Sequence, residues 1–292
     1  MSLDPNSFFI HSGQEWTGPT LVVTDYWNDD LRNLMVSKSI YYLRLSRSVG
    51  WEDHDLEFLK NLDFLKGVEI YADDIKDVSA LVHLKSLEHL SLDCKLNIEL
   101  DVSQFKNLSS LYFKWNKKVL NWFNAPSLER LNVVNYPFES LEVFSNLTTL
   151  RELLLTSTKL QTLKGIGYLK SLKLLDLYRC TKLYSLESLG FLKKLEKIVL
   201  DNCKRIEDLS ECVGLETLKA FLIIDCKEIE SIEPLKNCLA LNRIYIAGNT
   251  TIIDGDFNLI VDLPNLRKFI FVEKKHYNYQ EKEVKEILSI KD

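Results

Sequence analysis

The sequence predicts a solenoid of the α/β type, in which short parallel strands stack along one side of a shared core and tight turns stack along the other. Three observations predict this fold. An apolar pattern, Leu-x-x-Leu-x-Leu with Ile, Val or Phe at some positions, recurs eleven times between residues 40 and 271, in steps of 20 to 25 residues. Within each step, apolar residues first alternate with polar ones and then recur at every third residue. A unit of this size cannot bury its apolar stripe alone, so the units stack on their neighbours. The pattern starts at Ile40, Leu65, Leu87, Leu108, Leu128, Leu150, Leu172, Leu195, Leu218, Leu241 and Leu266.

The alternation marks the strand of each unit, and the period of three marks its turns. In the unit that starts at Leu172, Leu175 and Leu177 flank Asp176, which is the spacing of a strand with one face towards a core. The period-three series of the same unit is Leu183, Leu186, Leu189 and Leu192. A period of three fits short 3₁₀ turns and not a full α-helix. We therefore expect a parallel sheet on a concave face and mostly 3₁₀ or irregular turns on a convex face.

Small polar or thiol side chains recur at the bend between strand and turns, three residues before the period-three series begins. They are Asn116, Asn135, Ser157, Cys180, Cys203, Cys226 and Asn249. Such side chains can hydrogen-bond backbone groups that the bend would otherwise leave buried and unpaired. Two further cysteines, Cys212 and Cys238, replace core leucines. We expect reduced structural thiols rather than disulfides or a metal site, which favours a cytoplasmic location.

Residues 1–39 break the pattern and are expected to form an N-terminal cap over the first repeat, because the terminal units of a solenoid need covering. The cap should contain a strand near residues 20–24 and a helical turn over Asp29–Val36, with Asp29 or Asp30 as its N-cap. A small separate module is the alternative interpretation. The apolar residues available for covering are Trp16, Leu21, Val22, Val23 and Trp27.

The other end has the pattern of an amphipathic helix. Within residues 273–292, Val284, Ile287 and Leu288 fall on one face of a helix. We expect this segment to be a C-terminal capping helix, and about eleven repeats to fill residues 40–272 as one continuous domain.

No motif in the chain points to catalysis or to a bound cofactor or metal. The sequence has no H-E-x-x-H, G-x-S-x-G or P-loop pattern, and its five histidines are scattered. The run Glu52-Asp53-His54-Asp55 could hold a metal by residue type, although a solvated charged loop is the commoner occurrence. The net charge of −5 disfavours nucleic acid and anionic membrane as partners, and it is compatible with a basic protein. We also expect no signal peptide and no membrane span, because no basic start with an apolar run and no stretch of about 18 apolar residues is present.

The repeat resembles that of the leucine-rich repeat family, in its short SDS22-like or internalin-like class. The stretch LKLLDLYRCTKLYSLESLGFLKK (172–194) matches the family pattern almost position by position. The resemblance implies a right-handed superhelix, a bacterial origin and a role in protein binding. Cysteine in place of the usual asparagine at three consecutive turns, and the short step from Leu108 to Leu128, depart from the family pattern. The family hosts many functions, so the resemblance does not choose among them.

Strand side chains that point away from the core should line the concave face. Aromatic residues recur there although the core does not need them, and apolar residues cluster across four adjacent strands. Aromatic and arginine side chains, and large exposed apolar patches, are typical of protein interfaces. The partner-binding residues predicted on this face are Tyr42, Arg44, Tyr71, His89, Tyr112, Trp115, Arg130, Leu154, Leu174, Asp176, Tyr178, Val199, Asp201, Leu222, Ile224 and Tyr245.

These observations favour a non-catalytic recognition module that binds a protein partner on its concave face, without cofactor. An immunity or inhibitor protein that neutralises a toxin or enzyme is one alternative, and the substrate-recruiting part of a larger enzyme is another. Self-association of the protein through the apolar patch is a third alternative. We therefore expect a monomer or a weak homodimer.

Overall fold

The computed structural model describes residues 6–13 and 17–290. Trp16, one of the residues assigned to the cap, lies outside the described residues. The chain forms two compact units, Met1–Arg130 and Leu131–Asp292. The prediction of one continuous domain with boundaries at residues 39 and 272 stays a prediction.

The first unit is a mostly parallel sheet backed by short 3₁₀ helices. Its strands are β1 (Phe8–His11), β2 (Thr20–Val23), β3 (Tyr42–Ser46), β4 (Gly67–Tyr71), β5 (His89–Asp93), β6 (Leu100–Asp101), β7 (Ser110–Lys114) and β8 (Val119–Leu120), with one helix, α1 (Asp29–Ser37). Strands β2, β3, β4, β5 and β7 pair in parallel, β1 joins β2 in antiparallel orientation, and β6 pairs with β8. The 3₁₀ helices are Arg47–Val49, Glu57–Asn61, Ser79–His83, Val102–Gln104 and Trp122–Asn124.

The second unit repeats the same arrangement. Its strands are β9 (Arg130–Val134, which starts at the last residue of the first unit), β10 (Glu152–Thr156), β11 (Leu174–Tyr178), β12 (Lys197–Asp201), β13 (Ala220–Ile224), β14 (Glu228–Ile229), β15 (Arg243–Ala247), β16 (Thr251–Ile252) and β17 (Lys268–Phe271), with helices α2 (Asn258–Val261) and α3 (Glu281–Ser289). Strands β10, β11, β12, β13, β15 and β17 pair in parallel, and β14 pairs with β16. The 3₁₀ helices are Glu142–Phe144, Ile166–Tyr168, Leu189–Phe191, Ser210–Cys212 and Glu233–Asn237.

The two periods of the sequence correspond to the two sides of each repeat. Leu175 and Leu177 in β11 are fully buried, whereas Asp176 between them is only partly buried. Leu183 and Leu189 of the period-three series are also fully buried. The predicted strands and 3₁₀ turns are therefore confirmed, and the core lies between them.

Ser157 shows how a repeat bends without leaving backbone groups unpaired. Its hydroxyl is completely buried, accepts hydrogen bonds from the amides of Lys159 (3.0 Å) and Leu160 (2.9 Å), and donates to the carbonyl of Tyr136 (2.8 Å). One small side chain thus satisfies three backbone groups at the bend.

Thiols occupy the equivalent position in four other repeats. Cys94, Cys180, Cys203 and Cys226 each donate a long hydrogen bond to the carbonyl of the fourth residue of the preceding paired strand, at 3.4 to 3.9 Å. All six cysteines are free and buried. Burial raises the pKa of Cys94 to about 12, so this thiol stays protonated at neutral pH. The buried positions expected for these cysteines are observed, and Cys94 occupies a position of the same kind.

The predicted bend residue is wrong in two repeats. Asn135 adopts a left-handed backbone conformation (φ 61°), which asparagine tolerates, and is exposed, so the next residue, Tyr136, fills the buried position. Asn249 is likewise exposed, and the buried residue is Thr250, whose hydroxyl accepts from the Cys226 amide. Each of these bends is one residue longer than predicted.

The N-terminal segment contains the expected strand, β2, and the expected helix, α1. The N-cap of α1 is Asn28, whose side chain accepts from the Leu31 amide, so the assignment of Asp29 or Asp30 is wrong. The two aspartates occupy the first turn, where they favour the helix through its dipole.

The C-terminal segment forms the predicted amphipathic helix, α3, which packs against β17. Val284 and Leu288 are buried, and Ile287 is partly buried. Gln280 and Glu283 form a reciprocal capping box at its N-terminus.

We predict that Ser157→Ala lowers the free energy of unfolding by about 1–3 kcal/mol, because two buried amides lose their acceptor. Urea unfolding followed by circular dichroism measures the change. Thr158→Ala, one residue along and exposed, is the control and should be nearly neutral. An equal loss in both variants would contradict this account of the bend.

Candidate interaction surface

In each unit, the strand side chains opposite the core form a surface. In the second unit, the central positions of six consecutive strands are in register and form one row, the middle row. Its members, from β10 to β17, are Leu154, Asp176, Val199, Leu222, Tyr245 and Ile270. With strands about 4.8 Å apart, the row extends over about 24 Å. Five of its six side chains are apolar or aromatic, so the predicted apolar patch is brought together here.

The other second-unit residues predicted to bind a partner lie beside this row. Leu174 precedes it on β11, and Tyr178, Asp201 and Ile224 follow it in register on β11, β12 and β13. The Tyr178 side chain is 43% exposed, whereas Val199 is 9% exposed, so the two differ widely in the area they offer to a partner.

Asp176 is the one charged side chain of the middle row. Leu154 and Val199 are its neighbours in register, and Leu174 and Tyr178 are the residues of its own strand on the same face. Desolvation by these neighbours raises the pKa of Asp176. The positive charge of Lys197 lowers this pKa, and the carboxylate of Asp201 raises it; the net effect is an increase. Among residues 6–13 and 17–290, no side chain forms a hydrogen bond or ion pair with the Asp176 carboxylate.

The first unit has a polar surface whose charges are already paired. The Glu69 carboxylate accepts from Arg44 Nε, and its second oxygen lies 3.4 Å from His89 Nε2. The His89 Nδ1 atom lies 3.0 Å from the Ser110 hydroxyl oxygen, and its Nε2 lies 3.2 Å from that of Ser91. Desolvation opposes ionisation of Glu69, but the hydrogen bonds from His89 and Arg44 outweigh it and lower the pKa of this carboxyl.

The tyrosines of the first unit lie on the same sheet face as this cluster. The Tyr71 and Tyr112 rings meet edge to face at 6.2 Å, and the Tyr42 ring packs over Gly67, where a Cβ atom would lie only 2.3 Å from it. Burial and the nearby Glu69 carboxylate raise the pKa of Tyr71 to about 12. The His89 side chain is buried, so it offers little area for direct contact with a partner.

Two of the predicted residues lie at the margin of these surfaces. Trp115 follows β7 and packs near the core rings of Phe113 and Trp122, with centroids 6.3 and 6.4 Å apart. Arg130 is the first residue of β9, and its amide donates to the Ser109 carbonyl.

Sequence reasoning missed Glu69, Ser91 and Ser110 as parts of the polar cluster and Ile270 as the end of the middle row. Their strand positions are visible in the repeat, so strand register could have found them. The contacts of Glu69 with Arg44 and His89 were not visible, because they depend on rotamers.

The acidic loop suspected of metal binding has a structural role. One carboxylate oxygen of Asp53 accepts from the Trp27 amide (2.7 Å) and from Trp51 Nε1 (2.8 Å), which ties the loop to the N-terminal segment. In the described part of the chain, no cluster of three or more His, Cys, Asp or Glu side chains could hold a metal ion. No described helix is long and apolar enough to cross a membrane.

We predict that Glu69→Gln lowers the free energy of unfolding at neutral pH by about 1–3 kcal/mol, because the Arg44 and His89 contacts lose their carboxylate. Since the folded pKa of Glu69 is lowered, its contribution is complete above the ordinary value of 4.5 and is lost as the pH falls below it. Urea unfolding at several pH values measures this. Glu88→Gln, which breaks an ion pair whose two side chains are 40% and 44% exposed, should cost less than about 1 kcal/mol. Equal costs for both variants, or no pH dependence, would contradict the assignment.

We predict that Asp176→Asn raises the melting temperature at pH 7, because it removes a carboxylate that is desolvated and unpaired. The folded pKa of Asp176 is raised, so ionisation costs stability above that pKa, and the difference should shrink as the pH falls towards the ordinary value of 3.8. Differential scanning calorimetry of this variant, with the exposed Asp262→Asn as control, tests the sign. A lower melting temperature at pH 7 would show that the carboxylate has an internal partner.

Similarity to known proteins is found in structure and not in sequence. No family model matches the chain, and no curated protein matches it. An internalin (inlF) from Listeria monocytogenes has 22% identity and a TM-score of 0.59 over 92% of this chain and 84% of that chain. The functional domain of InlJ from the same organism, described as including a cysteine ladder, has 17% identity and a TM-score of 0.50 over 87% of this chain and 58% of that chain. Together with the repeat geometry, these likenesses show that the chain has the internalin-like form of the leucine-rich repeat fold.

Proposed function

We propose that this protein is a non-catalytic recognition module that binds a protein partner on the concave sheet face of its second unit. The observation that carries the proposal is the middle row, in which five apolar or aromatic side chains are aligned on a face that the core does not use. Apolar surface in one continuous band, bordered by charged residues, is typical of interaction sites.

The distribution of side chains supports a protein as the partner. Tyr178 and Tyr245 offer large rings with few rotatable bonds, and such residues contribute most to binding energy at interfaces. Leu222 and Ile224 lie between them on β13 and would be covered when the rings are covered. Asp176 and Asp201 place negative charge within the band, which disfavours nucleic acid there.

Neutralisation of a basic enzyme, as by an immunity protein, is a narrower form of the same proposal. The acidic residues of the band and the net charge of −5 favour it. It requires tight one-to-one binding and loss of the partner's activity, whereas a scaffold does not.

We also propose a bacterial, cytoplasmic protein of the SDS22-like class, supported by the six free thiols and the two bacterial structures.

Affinity capture from a lysate of the source cells tests the proposal. Three baits are compared: the wild type, a double variant with Tyr178→Ala and Leu222→Asp, and the control variant Leu239→Asp. The control makes the same Leu→Asp change on the turn side, where Leu239 is 56% exposed. We expect a partner to be retained by wild type and control, and its affinity for the paired variant to fall about 30-fold or more, as loss of a central contact does. Circular dichroism melting shows that each bait is folded. Undiminished binding to the paired variant would contradict the proposal.

A further inference from the structure

We propose that the partner presents a lysine or arginine side chain, with apolar residues on both sides of it in a short segment, to the Asp176 carboxylate. This inference rests on the proposed function and names the chemistry of the contact at the middle of its site.

The position of Asp176 is the first observation. Its neighbours on the sheet face are Leu154 and Val199 across the strands and Leu174 and Tyr178 along its own strand. The carboxylate is therefore set into an apolar surface at the place where a partner would exclude water.

Among the described residues, no cation pairs with Asp176, although other acidic groups on or beside the sheet have such a partner. Glu69 pairs with Arg44 and His89, and Asp93 lies 3.2 Å from Lys114 Nζ. Glu196 pairs with Lys173 (3.2 Å) and Lys219 (2.7 Å). In the described part of the chain, Asp176 has no such ion pair, and Lys197 acts on it only as a nearby charge that lowers its pKa.

When a partner buries the middle row, the unpaired Asp176 carboxylate determines which partner side chains can bind there. An apolar surface that covered the middle row would desolvate the carboxylate completely, which is costly for an unpaired charge. An ammonium or guanidinium group at the same place would compensate that cost and form a charge-assisted hydrogen bond. Asp176 thus favours a cationic partner and also rejects neutral and acidic ones, which is how specificity is commonly obtained.

The surroundings of Asp176 fit the same occupant. Asp201, in register with Tyr178 on the next strand, adds a second negative charge beside the carboxylate. The exposed Tyr178 ring can meet a cation with its face, and the Arg179 guanidinium of this chain already lies 5.7 Å from its centroid. The flanking leucine and valine side chains require apolar residues on either side of the cation.

Selection from a random peptide library tests the inference, with immobilised wild type as the target. We expect enriched peptides to carry Lys or Arg at a fixed place between apolar residues. A synthetic peptide from this set should bind Asp176→Asn roughly tenfold or more weakly, and Asp262→Asn as well as it binds the wild type. Replacing its basic residue by norleucine should weaken binding to the wild type but not to Asp176→Asn, because only the wild type holds the carboxylate.

The outcomes separate this inference from the proposed function. If enriched peptides need Leu222 but carry no fixed basic residue, or bind Asp176→Asn undiminished, the inference is wrong and the binding face stands. If they bind Leu222→Asp as tightly as the wild type, both are wrong. A selection that enriches no peptide contradicts the inference, and lysate capture then decides the proposed function by itself.

Discussion

Lateral stacking is the constraint on which the structure depends, because the leucines of one repeat are buried only when the next repeat covers them. The core residues of successive strands are in register, as in the series Leu175, Ile198, Phe221, Ile244 and Phe269. The side chains of this series lie on one face of each strand, and neighbouring strands are joined by hydrogen bonds between their backbones. The side chains of the opposite face are then free of any role in closing the core. In the second unit, alternation along a strand therefore separates the residues that hold the fold from those that can meet a partner.

The two units use that second face differently. In the first unit, Glu69 contacts Arg44 and His89, so the charge of its carboxylate is paired within the protein. Such a cluster links neighbouring strands, and its buried Glu69 and His89 side chains offer a partner little area. In the second unit, Asp176 lies in an apolar row and has no hydrogen-bond or ion-pair partner among the residues that the structure describes. A desolvated charge that the fold leaves uncompensated is the kind of local inconsistency that functional sites show.

The sequence contains most of the fold, because two periods, two and three, are tied to two geometries. The strand at Leu175 and Leu177 and the 3₁₀ turn at Leu189 follow from spacing alone. Single-residue shifts at bends do not, and Asn135 and Tyr136 are both plausible bend residues until the backbone conformation is known. The choice of Asn28 over Asp29 as a helix cap has the same origin, since adjacent residues have similar capping strength. The candidate surface could be predicted as a set of positions, whereas the pairing of Glu69 and the isolation of Asp176 depend on rotamers and burial.

In the second unit, then, one of two adjacent strand residues stabilises the core and the other is available to a partner. The most direct measurement compares the unfolding free energies of Leu222→Ala and Ile223→Ala, because Ile223 is fully buried in the core and Leu222 lies on the opposite face of β13. The account predicts a loss of about 2–5 kcal/mol for Ile223→Ala, as for other core truncations, and below about 1 kcal/mol for Leu222→Ala. Equal losses would contradict it, because Leu222 would then be part of what holds the repeats together.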